Sequence, residues 1–272
     1  MTRIAVLQMT TGIDPQQNAR LLVDAVKNAA EGGAQMLFTP EMSGLLDRDR
    51  KRAAASIHAE DATPALRAVR EVAASAGIWV SIGSLAVASK EGRWANRAYV
   101  IDAGGDIAAR YDKMHMFDVD LASGESWRES NAYKPGDEVV VVEDTPVDRL
   151  GLTICYDRRF PALFEALGNR ACDVIAIPAA FTVPTGEAHW HVMQRARAIE
   201  ASAFVVAAAQ VGEHQDGRRT YGHSLVVDPW GKVVLDMGGD EAGLGFAEID
   251  LARIADVRSQ VPSLANRRAI AK

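Results

Sequence analysis

The chain has 272 residues, of which 48% are hydrophobic and 24% are charged, and its formal net charge is −6. This composition predicts a globular protein, and the negative charge argues against a general attraction to nucleic acid or to anionic membranes. Two cysteines without a paired spacing, and no apolar leader, predict a protein of the reducing cytoplasm. No apolar run approaches the roughly 18 residues that a membrane span needs.

Apolar periodicity predicts alternating strands and helices along the first third of the chain. Short apolar runs predict strands at residues 4–9, 36–39, 79–84 and 97–101. Helical spacing predicts one helix over residues 19–30, stopped by Gly32 and Gly33, and a second from Thr63-Pro64 to Gly77. Residues 90–93 are predicted to form the hairpin turn between the third and fourth strands.

The pattern lapses between residues 110 and 136, where charged and aromatic side chains show few signs of regular structure. A loop of that length in a compact domain is usually functional or disordered, and its aromatic residues argue against disorder. Strands are predicted again at 139–142, 150–155, 174–178, 204–209, 224–227, 233–235 and 245–249. Between them, a Pro/Gly loop is predicted at 182–187, then helices at 189–202 and 251–257.

The order of these elements predicts a single α/β domain over residues 1–272 with mixed sheets. The strands are too many for one comfortable open sheet, so we expect two stacked sheets with the helices outside. In the helix at 189–202, the residues expected to face inward are Trp190, Met193, Ala196 and Ile199.

Cys155 lies where a predicted strand ends and a charged segment begins, Tyr156-Asp-Arg-Arg159. Backbone N–H groups and the positive end of a following helix favour a thiolate at such a place. The alternative is a buried structural thiol, since free cysteine behaves as a small hydrophobe. The charged residues that follow Cys155 favour a nucleophile, whereas Cys172 has no such neighbours and is predicted to be structural.

Two further polar residues follow predicted strand ends. Glu41 comes directly after Pro40, and Lys113 lies in the segment Arg110-Tyr-Asp-Lys-Met-His115. Each has a simple alternative interpretation, as a solvated loop glutamate and a surface lysine. The three residues gain weight together, because a carboxylate, an ammonium and a thiol at strand exits can supply a base, an oxyanion stabiliser and a nucleophile.

The histidines do not suggest a metal centre. None of the six lies in a short motif with Cys155, and no cluster of cysteine and histidine has metal-ligand spacing. His223, in Tyr221-Gly-His-Ser224, is predicted to be a structural hydrogen-bonding residue. We therefore expect neither a metal nor a cofactor, and the absence of a glycine-rich loop after the first strand argues against a phosphate-binding enzyme.

From end to end, the chain resembles the nitrilase superfamily of carbon–nitrogen hydrolases. The matching segments are Phe38-Thr-Pro-Glu41, Tyr111-Asp-Lys-Met-His115, Gly151-Leu-Thr-Ile-Cys-Tyr-Asp157 and Tyr221-Gly-His-Ser224 through Asp228-Pro-Trp-Gly231. The resemblance implies a four-layer α-β-β-α sandwich, usually dimerised through its helices, and a catalytic triad of Glu41, Lys113 and Cys155. It also implies an assisting carboxylate, which falls on Glu129.

Within the superfamily, the segments 185–190, 195–200 and 206–210 most resemble the amidases that hydrolyse deaminated glutathione. The implied reaction passes through a thioester on Cys155, with the backbone N–H of Tyr156 helping to hold the oxyanion. Such substrates carry carboxylates, so Arg159 is a candidate to bind them, or alternatively a buried ion-pair partner. Phe181 and Thr182 either line the pocket or pack as a loop. Relatives often carry an apolar residue at the position of Arg158, which affects the expected substrate preference.

Several alternatives remain open on the sequence. The related ω-amidases, which act on 2-oxoglutaramate and 2-oxosuccinamate, share much of the same pattern, and nitrilases and carbamoylases belong to the same superfamily. A non-catalytic interaction scaffold is the alternative from another class. The partners expected are a small amide, water and a second copy of the chain in a homodimer or larger homo-oligomer, with no nucleic acid and no membrane.

Overall fold

The computed structural model describes residues 1–89, 92–122, 124 and 126–268. The helices in this part are α1 (Pro15–Glu31), α2 (Arg50–Ala54), α3 (Pro64–Ala76), α4 (Pro161–Asn169), α5 (Val183–Ala201) and α6 (Leu251–Gln260). Short 3-10 helices lie at Glu60–Ala62, Glu129–Asn131 and Cys155–Arg159. Within these residues, no helix is both long and apolar enough to cross a membrane.

The strands form two six-stranded sheets and two small hairpins. The first sheet has the order β16-β1-β2-β3-β4-β5, from strands β1 (Thr2–Gln8), β2 (Met36–Phe38), β3 (Trp79–Ala88), β4 (Trp94–Ile101), β5 (Ile107–Asp112) and β16 (Gly243–Ile249). The second has the order β15-β14-β11-β10-β9-β8, from β8 (Val141–Thr145), β9 (Asp148–Leu152), β10 (Val174–Ala176), β11 (Phe204–Ala207), β14 (Leu225–Val227) and β15 (Val233–Asp236). The hairpins are β6 (Asp118–Asp120) with β7 (Ser126–Arg128), and β12 (Val211–Glu213) with β13 (Arg219–Tyr221).

Side chains alternate between two cores along the strands of the first sheet. On β1, Ile4 and Val6 belong to the core shared with the second sheet, whereas Ala5 packs with the apolar faces of α1 and α3. Successive residues of a strand point to opposite faces, so the sheet lies between the two cores. The other face of the second sheet is covered by α4 and α5, through Phe164 and Trp190 among others. The expected four-layer α-β-β-α sandwich is therefore confirmed.

The two sheets approach each other closely at Gly83 of β3. A Cβ atom at this position would lie 2.1 Å from the carbonyl oxygen of Thr39 and 2.4 Å from Cβ of Pro178. Thr39 follows β2 in the first sheet, and Pro178 follows β10 in the second. Only glycine fits between them, and this close approach brings the ends of strands from both sheets to one place.

The structure departs from prediction in three places between residues 110 and 202. The loop predicted at 182–187 is instead the first turn of α5, because proline is tolerated in a first helical turn and Gly186 packs against the ring of Tyr221, where a Cβ atom would lie 2.3 Å from Cγ. Ile199 was predicted to face inward, which is wrong: it is 50% exposed. The stretch 110–136, predicted to be irregular, includes the end of β5 and the β6–β7 hairpin.

The inward face of α5 is partly polar, which explains the error at Ile199. The buried residues of this helix are Gly186, Trp190, Gln194, Arg197, Ala198 and Ala201. Because glutamine and arginine occupy core positions, a search for apolar spacing assigns the wrong stripe. The other predicted strands and helices are found with small shifts at their ends. The turn predicted at 90–93 falls partly outside the described residues, because positions 90 and 91 are not described.

Candidate active site

The site forms at one edge of the sandwich, where strands of both sheets end. Glu41 follows β2 after two residues, and Lys113 follows β5 directly. Strands β2 and β3 are parallel and β5 runs in the same direction, since it is antiparallel to β4, which is antiparallel to β3. Their carboxyl ends therefore lie at the same edge. Cys155 follows β9 of the second sheet, and two residues separate it from the end of that strand at Leu152.

Lys113 is the centre of the site. Its ammonium nitrogen Nζ lies 2.9 Å from Oε1 of Glu41 and 2.9 Å from Oε2 of Glu129. The lysine is 2% exposed, so these two carboxylates supply its counter-charge in a dry environment. Burial lowers the pKa of Lys113, but the charges of Glu129, Glu41 and the nearby Cys155 outweigh it and hold that pKa well above its ordinary value.

Glu41 is held in place by three hydrogen bonds. Its Oε1 accepts from Lys113 and from Nδ2 of Asn96 at 3.0 Å, and its Oε2 accepts from the backbone N–H of Ala180 at 2.9 Å. The thiol of Cys155 lines the same cavity, close enough to the carboxylate for each group to influence the other's pKa. Burial raises the pKa of Glu41, but the charge of Lys113 and the hydrogen bonds from Lys113 and Ala180 lower it below its ordinary value. Glu41 is thus ionised beside the thiol, where a general base must be.

Cys155 begins a 3-10 helix and has a left-handed backbone conformation, with φ of 46°. This conformation is uncommon for a residue with a side chain and is found where the surrounding structure imposes it. The backbone N–H of Cys155 donates to the carbonyl of Pro178 at 2.8 Å, which fixes the turn against the end of β10. Burial and the charge of Glu41 raise the pKa of the thiol to about 12. The resting pair is therefore a neutral thiol beside an ionised carboxylate.

Glu129 and Asn96 complete this group. Glu129 begins the 3-10 helix after β7, and its Oε2 accepts from the backbone N–H of Phe117 at 2.7 Å. Asn96, a fully buried residue of β4, donates through Nδ2 to both Glu41 and Glu129, at 3.0 Å each. Sequence reasoning found Glu129 through the family resemblance but missed Asn96. The signal for Asn96 was available, since an amide in a buried strand position needs partners.

Asp157 ties the cysteine turn to the segment that carries Lys113. Its Oδ2 accepts from the hydroxyl of Tyr111 at 2.6 Å and from the backbone N–H of Ile154 at 2.9 Å. Its Oδ1 accepts from the backbone N–H of His115 at 3.0 Å and lies 2.7 Å from Nδ1 of the same histidine. The carboxylate is fully buried, and its bonds to Tyr111 and Ile154 are shielded from water. Asp157 thereby fixes the nucleophile of one sheet relative to the lysine of the other.

A cavity of about 390 Å³ opens over Lys113 and Cys155. Its size lies in the range of about 300–1,000 Å³ that small-molecule sites occupy. The residues that line it include the predicted Glu41, Lys113, Glu129, Cys155, Tyr156, Phe181 and Thr182, and also Trp94, Phe117, Trp127, Tyr133 and the arginines at 48, 50, 128 and 218. The backbone N–H of Tyr156 lies in the first turn of the 3-10 helix, where such groups have no partner within the helix.

Comparison with known proteins decides the family. Residues 3–259 match the carbon–nitrogen hydrolase family. The chain belongs to that family. It is 40% identical over 270 residues to the deaminated glutathione amidase of Yersinia enterocolitica, a match that covers 97% of this chain and 92% of the relative. The human deaminated glutathione amidase is 36% identical over 271 residues, covering 97% of this chain and 82% of that protein. The predicted membership of the nitrilase superfamily is confirmed.

Solved structures agree with this assignment. The NitFhit protein of Caenorhabditis elegans superposes with a TM-score of 0.90 at 37% identity, over 98% of this hydrolase and 65% of that chain. A mutant of the amidase from Nesterenkonia sp. AN1 superposes with a TM-score of 0.83 at 27% identity, over 98% of this hydrolase and 94% of that chain. In that amidase, the active-site cysteine carries the acetamide moiety of fluoroacetamide covalently.

Arg159 lies elsewhere than the substrate-binding prediction requires. Its Nη2 is 3.1 Å from Nδ1 of His189, and its Nη1 is 3.9 Å from the sulfur of Met193. Both partners belong to α5, and Arg159 is not among the described residues that line the cavity of this hydrolase. Its alternative role, as an ion-pair partner of Asp157 or of a glutamate, is not seen among the described contacts either. Arg159 fastens the cysteine turn to α5.

The cationic side chains of the cavity come instead from the loops around its mouth. Arg48 and Arg218 lie over the ring of Trp127, with Cζ at 5.9 and 4.9 Å from its centroid. Arg218 is paired with Asp216 at 2.9 Å, whereas no described residue forms an ion pair with Arg48. Sequence reasoning missed these arginines, because they become neighbours of the nucleophile only when loops from distant parts of the chain meet.

One group of side chains has the composition of a metal site. His191 Nε2 lies 2.9 Å from one oxygen of Asp236, and His223 Nδ1 lies 3.0 Å from the other. The three ligand atoms lie within 4.8 Å of one another. The two hydrogen bonds already account for the arrangement, and they give His223 the structural role expected of it. That the hydrolase needs no metal stays a prediction.

Proposed function

We propose that this hydrolase is a cysteine-dependent amidase that converts a small carboxylate-bearing amide, deaminated glutathione, to the acid and ammonia. The observation that carries the proposal is the ion pair of Glu41 with Lys113, at 2.9 Å, in the cavity that the Cys155 thiol also lines. A base, a cation and a nucleophile that face one cavity are what amide attack requires. The choice of substrate is supported by the Yersinia relative and its name.

Acylation begins with proton transfer from Cys155 to Glu41. The sulfur then forms a bond to the amide carbon, and the carbonyl π electrons move to its oxygen. Lys113 and the backbone N–H of Tyr156 stabilise this oxyanion. When the carbonyl re-forms, the C–N bond breaks, the nitrogen takes the proton from Glu41, and ammonia leaves a thioester on Cys155.

Deacylation reverses these roles with water as the nucleophile. Glu41, assisted by Glu129, takes a proton from water as its oxygen attacks the thioester carbon. The same donors hold the second oxyanion, and the C–S bond then breaks to release the acid and regenerate the Cys155 thiol with the returned proton. Lys113 lies between the two glutamates and donates to both, so its positive charge offsets their mutual repulsion at close range.

Arg48 is the residue that we propose to recognise the substrate carboxylate. It lines the cavity, and the described residues give its guanidinium no acidic partner. An arginine–carboxylate pair is worth about 1.5–3 kcal/mol, or roughly 10-fold or more in affinity. We therefore expect Arg48→Gln to raise KM about 10-fold for a carboxylate-bearing amide and to leave the KM of a neutral amide unchanged. Arg70→Gln, in an arginine of α3 that pairs with Asp106 and lies outside the cavity lining, is the matched control and should change neither value.

The test of the function is ammonia release from deaminated glutathione and from 2-oxoglutaramate, measured side by side. Cys155→Ala is the blank, and Cys172→Ala controls for the loss of a buried thiol. We expect the wild type and Cys172→Ala to release ammonia from deaminated glutathione, and Cys155→Ala to release none. Preference for 2-oxoglutaramate would instead make the protein an ω-amidase, and turnover that survives in Cys155→Ala would refute the mechanism.

Alkylation by iodoacetamide separates an enzyme from an interaction scaffold. We expect Cys155 to react much faster than Cys172, since it faces the cavity and has a base. Equal, slow reaction of both thiols would contradict the proposed chemistry. Product analysis also distinguishes the other superfamily reactions, because a carbamoylase releases carbon dioxide and a nitrilase accepts a nitrile.

We further propose that the chain is one domain over residues 1–272 and acts as a cytoplasmic homodimer or larger homo-oligomer. Exposed apolar side chains on one side of the molecule support self-association: Val192 and Ile199 of α5, with Trp230 and Val261 nearby in the fold. Light scattering coupled to size-exclusion chromatography tests this, with Ile199→Glu expected to shift the mass toward the monomer. A monomeric mass for the wild-type protein would refute self-association.

A further inference from the structure

Arg158 is buried directly behind the nucleophile. Its side chain is fully inaccessible to solvent. Its Nη1 donates to the carbonyl oxygen of Cys155 at 2.9 Å and lies 3.9 Å from the Cys155 sulfur. The guanidinium stacks on Phe181, with Cζ 3.6 Å from the ring centroid, and Trp190 of α5 lies beyond at 5.5 Å. The arginine therefore approaches the reacting sulfur on the side away from the cavity.

This arginine has no carboxylate partner among the described residues. Its Nε and Nη2 are buried and make no hydrogen bond with a described residue. The side-chain oxygen and nitrogen of Gln194, on the inward face of α5, are also buried and make no hydrogen bond with a described residue. Arg197, which donates to the Arg158 carbonyl, is itself paired with Glu200. A buried charge without a partner is costly, so apolar packing alone does not explain an arginine here.

The groups that face Arg158 are few. Among the described residues they are Cys155, the Glu41 carboxylate beyond it, the guanidinium of Arg159, whose positive charge opposes that of Arg158, and His189 of α5, whose pKa is lowered by burial and by the charges of both arginines. Burial lowers the pKa of Arg158 to about 10, so it still carries its charge at neutral pH. The nearest described atom able to gain a negative charge in the reaction is the Cys155 sulfur.

We propose that Arg158 is a further catalytic residue of this hydrolase, whose guanidinium stabilises the Cys155 thiolate. The thiolate forms when the proton moves to Glu41 before attack. It forms again when the C–S bond of the second tetrahedral intermediate breaks, with the electron pair returning to sulfur before Glu41 gives back the proton. In this mechanism Lys113 stabilises the negative charge on the carbonyl oxygen, and Arg158 stabilises the negative charge on the sulfur. The inference rests on Cys155 being the nucleophile.

The experiment compares Arg158→Met, Arg158→Gln and Arg158→Lys, each in a Cys172→Ala background so that one thiol reports. The rate of alkylation by iodoacetamide is measured as a function of pH, with ammonia release alongside. An opposite charge at this range shifts a pKa by about 1–3 units. We therefore expect the Met and Gln variants to alkylate roughly 10- to 1,000-fold more slowly at each pH below the thiol pKa. The Lys variant should recover part of the rate, because it restores the charge.

Thermal unfolding separates this role from a structural one. Replacing a buried, unpartnered charge by an apolar side chain of similar length is often neutral or stabilising. We expect Arg158→Met to unfold at the wild-type temperature or above while it loses reactivity. The proposal would be overturned if a folded Met or Gln variant were alkylated at the wild-type rate. It would also be overturned if the Lys variant were alkylated as slowly as the Met and Gln variants. If Arg158→Met fails to fold, the comparison of the Gln and Lys variants decides. Slow alkylation of Cys155 in the Cys172→Ala parent would instead contradict the proposed function.

Discussion

Asp157 offers the sharpest test of how the two sheets hold the site together. Its buried carboxylate accepts hydrogen bonds from the Tyr111 hydroxyl and from the backbone N–H groups of Ile154 and His115. Removing the acceptor leaves these three donors buried without a partner. At about 1.5 kcal/mol for each bond to a charged group, we expect Asp157→Ala to lower the free energy of unfolding by roughly 4–5 kcal/mol. Asp157→Asn keeps the shape but half of the accepting capacity, and should cost about half as much.

The free energies are measured by urea denaturation, with m-values checked for a change in the denatured state. Asp120→Ala is the control. Its carboxylate pairs with Arg128 at 2.7 Å but is 70% exposed, so its removal should leave the free energy of unfolding nearly unchanged. Because Asp157 also positions Cys155 relative to Lys113, ammonia release should fall in both Asp157 variants under conditions where they are folded. A loss below about 1 kcal/mol in Asp157→Ala would refute the account of this network.

Three other predictions concern the carboxylates. Glu41→Gln should lower turnover at least about 100-fold, because general-base catalysis raises a rate by a factor of about 10²–10⁴. The circular dichroism spectrum should be unchanged. Retained turnover would show that Glu41 is not the base. Burial raises the pKa of Glu41, but the charge of Lys113 brings that pKa below its ordinary value. We therefore expect kcat to be lost only as the pH falls below about 4.5. A loss of kcat between about pH 6 and 7 would contradict this. Glu129→Gln should lower kcat with little change in melting temperature, whereas an unfolded variant would make Glu129 structural.

The residues at strand exits were the predictable part of the site. Glu41 and Cys155 each follow an apolar run, and Lys113 follows the end of a strand; such positions come together when parallel strands share an edge. That they touch, however, depends on the stacking of two sheets and on the close approach at Gly83, which no local pattern encodes. The family resemblance supplied this information, and it supplied Glu129 as well.

The positioning residues were harder to predict for physical reasons. Asn96 lies within a strand of mostly apolar residues, and its partners are 55 and 33 positions away in the chain. Asp157 belongs to the charged segment after Cys155, but its partner Tyr111 is 46 positions away. Long-range polar contacts of this kind leave a trace only as a polar residue where the pattern requires an apolar one. The same reason explains why the apolar stripe of α5 was assigned wrongly.

The division of the site between two sheets has a consequence for the folding of the molecule. Glu41 and Lys113 belong to one sheet and Cys155 to the other, so neither half can build a thioester alone. A partly folded state in which both sheets have formed but slide against each other would keep its secondary structure and lose its chemistry. Enzymatic activity therefore reports whether the two sheets are packed together correctly. In a refolding experiment, activity should return after the far-ultraviolet circular dichroism signal.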